Sequence, residues 1–90
     1  MPHSPEEKKR AITRLRRIRG QAEALEAAIE TGAGCNQVLQ QLAAVRGAVN
    51  GLMAEVLEGH LRESFGPDAP VDHRAQAIEE VASLVRSYLK

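Results

Sequence analysis

Residues 35–65, CNQVLQQLAAVRGAVNGLMAEVLEGHLRESF, decide the fold. The run contains no proline, and small or apolar side chains recur at Cys35, Val38, Leu42, Val45, Val49, Leu52 and Val56. The spacing alternates between three and four, the heptad rhythm of a helix packed along its length against other helices. A second row, Leu39, Ala43, Met53, Leu57 and Leu61, widens the apolar face enough for more than one neighbour. Gly47 and Gly51 each weaken an isolated helix by about 1 kcal/mol relative to alanine. Their place among Ala43, Ala44 and Ala48 predicts that another backbone comes close there.

Outward from this helix, the preceding Thr31-Gly32-Ala33-Gly34 reads as a turn and the following Gly66-Pro67-Asp68-Ala69-Pro70 as a break. Ser4 is an N-cap, Pro5 suits the first helical position, and Glu7 completes a capping box. A first helix over about 5–31 follows, with the stripe Ala11, Leu15, Ile18, Ala22, Leu25 and Ile29. Asp72 is read as the cap of a third helix over about 73–89, whose apolar face is Ile78, Val81, Val85 and Tyr88. The expected fold is a single all-helical domain, 1–90, of three helices. The short turn makes helices 1 and 2 antiparallel neighbours, with residue 5 beside about residue 61. A chain of 90 residues with one Phe, one Tyr and no Trp has little capacity for a core of its own, so its stripes predict oligomerisation.

The formal charge is zero but unevenly spread. Residues 1–20 carry seven Lys and Arg against Glu6 and Glu7, a net of +5, and the remainder balances it at −5. Residues 8–20 contain no acid, and Arg10, Arg14, Arg17 and Gln21 share one side of helix 1. A solvated face mixes signs, so this one points to a polyanion. Lys9, Arg10, Arg14, Arg16, Arg17 and Arg46 are the candidates for DNA phosphates. Residues 1–20 lack an apolar signal core, and no run suits a membrane span. A lone cysteine fits a reducing cytoplasm. No phosphate loop and no base–nucleophile pair is present, which argues against an enzyme.

The reactive groups sit at the ends of the second helix. Cys35 opens it, where the helix dipole favours thiolate, and His60 lies near its close. Twenty-five residues separate them, roughly 37 Å of helix. One chain therefore cannot join them, whereas an antiparallel second copy brings Cys35 of one subunit to His60 of the other. The N-terminal tail, with Pro2 and His3, falls beside His60 of its own chain. Taken singly, each residue has a plainer reading: a small buried cysteine, a surface histidine, a polar tail. Convergence is what raises them.

The runs LQQLAAVRGAVNGLMAEVLEGHL (39–61) and RLRRIRGQ (14–21), with Cys35, resemble the CsoR/RcnR/FrmR family of bacterial metal- and formaldehyde-responsive repressors. MPHSPEEKKR (1–10) and SLVRSYLK (83–90) look like its formaldehyde-sensing branch, FrmR. The resemblance implies an all-helical dimer of dimers, a homotetramer with four-helix-bundle dimers. It also implies operator DNA as partner and DNA release when an inducer binds at the dimer interface. It assigns formaldehyde sensing to Pro2 and Cys35, with His3 and His60 in support. For the metal-sensing branches it implies the ligands His3, Cys35 and His60, plus a residue one turn later that is Ser64 here, a poor ligand. The three remaining donors could bind Zn²⁺ or Co²⁺ weakly, and no cofactor is required. Two alternatives to formaldehyde sensing follow: a repressor responding to nickel, cobalt or zinc, and a helical scaffold with a basic interaction face.

Overall fold

A computed structural model describes residues 4–89, three helices in an open arrangement. Helix α1 spans Pro5–Glu30, α2 spans Cys35–Phe65, and α3 spans Arg74–Tyr88. Ser4 caps α1 as expected: its backbone is extended, and its Oγ accepts the Glu7 N–H at 3.1 Å. The reciprocal half of the capping box is missing. Glu7 instead turns towards Gly59 of α2, where a Cβ would meet its carboxylate at 3.1 Å, and its Oε2 is buried without a hydrogen-bond partner.

The turn after α1 closes as the two glycines predict. Gly32 takes φ +78°, the left-handed conformation that glycine adopts at no steric cost. Its N–H reaches Ile29 O at 3.1 Å, and the Ala33 N–H reaches Ala28 O at 2.9 Å. This pairing satisfies carbonyls that the helix end would otherwise leave open. The helix therefore folds back at once, and the Glu7–Gly59 approach shows the antiparallel register that the turn implies.

Two expectations fail locally. Asp72 does not cap α3. A single 3₁₀ turn, Val71–His73, intervenes, and α3 starts after His73 with no side-chain cap. Pro70, held extended, starts that turn two residues earlier than a cap at Asp72 requires. Nor does another backbone approach Gly47 or Gly51 among the described residues. A Cβ at Gly47 would meet open space, and one at Gly51 would meet the Arg14 guanidinium at 3.0 Å. Gly51 clears room for a long side chain.

Each heptad stripe divides between two faces. On α1, Ala11, Ile18 and Leu25 are half-buried, whereas Leu15 and Ile29 of the same stripe are exposed. On α2, Val38, Val45 and Leu52 are half-buried, while Leu42 and Val49 face solvent. The described chain measures 57 × 28 × 12 Å, and its least dimension is about the width of one helix. Stable domains stack two layers around a core. This chain forms one layer, and among its described residues only Ala28 and Gly59 are buried, with no side chain fully so.

Candidate functional site

Cys35 occupies the first position of α2 as an exposed free thiol. Gly34 precedes it without a side-chain cap, and the first turn holds no acid, so no side chain competes there for the open N–H groups. His60 lies near the other end of the 31-residue helix, half-buried, its Nε2 3.4 Å from Glu80 Oε1 on α3. The separation read from the sequence therefore holds within one chain. Glu80 escaped the sequence reading, because nothing in the connection at 66–73 fixes how α3 docks.

The register brings the start of α1 to the His60 end of α2, as Glu7 against Gly59 shows. Pro2 and His3, expected at that end, lie outside the described residues. Among the described residues no group of three His, Cys, Asp or Glu side chains is gathered for a metal. Ser64, half-buried one turn beyond His60, adds only a hydroxyl. Cys35 and His60 of one chain, at opposite ends of α2, do not make a metal site.

All six cations singled out are exposed, and no ion pair is seen for Lys9, Arg16 and Arg17 on α1 or Arg46 on α2 among the described residues. Arg10 and Arg14 are held by an acid that α1 itself does not supply. Glu55 of α2 accepts a hydrogen bond from the Arg10 Nε–H at 3.3 Å, and its other oxygen, Oε2, lies 2.6 Å from Arg14 Nε as an ion pair outside hydrogen-bond geometry. A further ion pair, Arg62 with Glu58, lies along the same stretch of α2. An apolar groove of about 570 Å³ runs between α2 and α3, lined by Leu52, Val56, Leu57, His60, Leu84 and Tyr88 among others.

The model of the metal-sensitive transcriptional repressor family matches residues 7–87. The chain belongs to this family. Transcriptional repressor RcnR of Citrobacter koseri is 39% identical to it over 90 residues, covering all of both chains. A Serratia marcescens protein, called uncharacterized protein in the bioA 5′ region, is 56% identical over 91 residues, again covering both entirely. Among solved structures, a variant of the formaldehyde-responsive regulator FrmR from Salmonella enterica serovar Typhimurium superposes with a TM-score of 0.83. It is 55% identical and covers 97% of this chain and 99% of its own. Membership in a repressor family makes operator DNA the implied partner and displaces the scaffold reading. The all-helical architecture is that of this family, and no described helix is long and apolar enough to cross a membrane.

Proposed function

We propose that this repressor senses formaldehyde, which links the Pro2 amine of one subunit to Cys35 of its partner and so releases the operator. The observation that carries the reading is an exposed, free Cys35 at the head of α2 in a chain that also has Pro2 and resembles a formaldehyde-responsive regulator. With Met1 removed, Pro2 has a secondary amine. The amine adds to formaldehyde to give a carbinolamine, which loses its oxygen as water to leave an iminium ion. The Cys35 sulfur attacks the iminium carbon and completes an N–CH₂–S bridge. The amine proton and the thiol proton leave with the formaldehyde oxygen as water. His60, at the end of α2 that meets the start of α1, serves as proton acceptor, and His3 follows Pro2 in the sequence.

The bridge needs a second copy, since Cys35 and His60 lie at opposite ends of α2. Antiparallel pairing through Leu15, Leu39, Leu42 and Val49, all exposed on the single layer, supplies it and makes two equivalent sites. Two such dimers make the tetramer. Tying the tail to the neighbouring α2 pulls on α1, which starts at Pro5, and its basic face begins within two turns. A tie that fits one conformer better than the other shifts the population towards the DNA-free form.

The test compares formaldehyde with nickel, cobalt and zinc salts for release of operator DNA from Met1-free protein. Formaldehyde is expected to release it at doses where the metals do not; release by a metal alone would return the reading to metal sensing through His3, Cys35 and His60. The exposed arginines are expected to set the salt dependence. Arg17→Ala lowers the slope of log affinity against log salt by about one unit, the worth of one phosphate contact. An unchanged slope would remove Arg17 from the interface.

A further inference from the structure

Arg10 and Arg14 stand four residues apart on α1, and both turn Nε to one carboxylate. The Glu55 side chain is 20% exposed, against 54% for Arg10 and 48% for Arg14. The acid lies between the helices and the two cations lie nearer the surface. Residues 8–20 contain no acid, so the α1 face looks uniformly basic in sequence. In the folded chain this part of the face carries one negative charge against two positive ones.

That charge opposes a DNA phosphate by either route. If a guanidinium moves to the phosphate, a half-buried carboxylate is left with fewer partners, which is costly. If both guanidiniums stay, the phosphate must sit close to a like charge. We propose that Glu55 is an internal competitor for DNA phosphate, holding Arg10 and Arg14 in the DNA-free chain and lowering its affinity for DNA. The proposal rests on the reading of α1 as the DNA-binding surface. It also gives the sensing end of α2 a direct handle on that surface. Glu55 lies five residues before His60 on the same helix, about 7.5 Å along its axis. Any displacement of α2 there carries the carboxylate with it.

Operator affinity measured across a salt series tests this. Glu55→Gln keeps the shape and removes the charge. It is expected to bind about eightfold more tightly at 0.1 M salt, with a slope steeper by about 0.9 unit, the effect of one added phosphate contact. In an Arg10→Ala/Arg14→Ala background the same change is expected to do nothing. Binding by Glu55→Gln that is unchanged or weaker, or an equal gain in the double-alanine background, overturns the proposal. An Arg16→Ala/Arg17→Ala variant separates the two readings. Parent-like binding by that variant overturns the DNA-binding face itself. Lost binding there, with Glu55→Gln matching the parent, overturns only the competitor role. On the parent protein, the Arg10 and Arg14 Nε–H resonances are expected to shift on addition of operator DNA. Resonances that stay put overturn the proposal without any substitution.

Discussion

Cys35→Ala protein is expected to hold operator DNA as tightly as the parent and to keep holding it when formaldehyde is added. Cys35 is exposed at the head of α2 and packs into no core, so its loss costs the fold little. The change removes no charge and no candidate phosphate contact, so DNA affinity is expected to be left alone. What disappears is the sulfur that closes the bridge, because alanine has no nucleophile to trap the iminium carbon. The same insensitivity is expected of a protein whose Pro2 nitrogen is acetylated, since an amide does not form the iminium. The readout is operator release against formaldehyde dose. Parent-like release by either form would sink the bridging mechanism.

Leu42→Asp is expected to convert the protein to a monomer at micromolar concentration, as seen by sedimentation. Leu42 is 46% exposed on a chain only 12 Å thick. Covering a leucine side chain contributes about 1.5–3 kcal/mol, and an isologous two-fold interface counts the residue twice. Aspartate forfeits that contribution and places an unpaired charge in the interface. The helical hairpin, closed by Gly32 and the Glu55 ion pairs, involves other faces and is expected to survive in part. A variant that sediments like the parent would show that this surface does not join two copies.

Legibility in the sequence followed the range of each interaction. Thr31 to Gly34 and Ser4 to Glu7 are local, and glycine and capping chemistry placed α1, the turn and the antiparallel register without a structure. The heptad stripes were visible, but one stripe could not say which half packs inside the hairpin. Ile18 and Val45 turn inward while Leu15 and Val49 do not, because pairing two helices uses less than the whole apolar arc. Glu55 was missed because charge was counted along α1 alone; laying residues 10 and 14 against α2 in the predicted register reaches it. The Glu80–His60 pairing had no such signal, and neither did the 3₁₀ turn that displaced Asp72 from its cap. For the candidate site, the sequence placed Cys35 and His60 at opposite ends of α2, where they lie. Their meeting depends on a second chain, which spacing along one chain implies only through the distance it forbids.

Formaldehyde bridging is tested most directly by mass spectrometry of protease-digested, formaldehyde-treated, Met1-free protein. The expected product is an inter-chain peptide pair joining Pro2 to Cys35, heavier than the two peptides by about 12 Da, the one carbon kept when CH₂O adds and water leaves. Treated protein that has released its operator but carries no Pro2–Cys35 link would contradict the account.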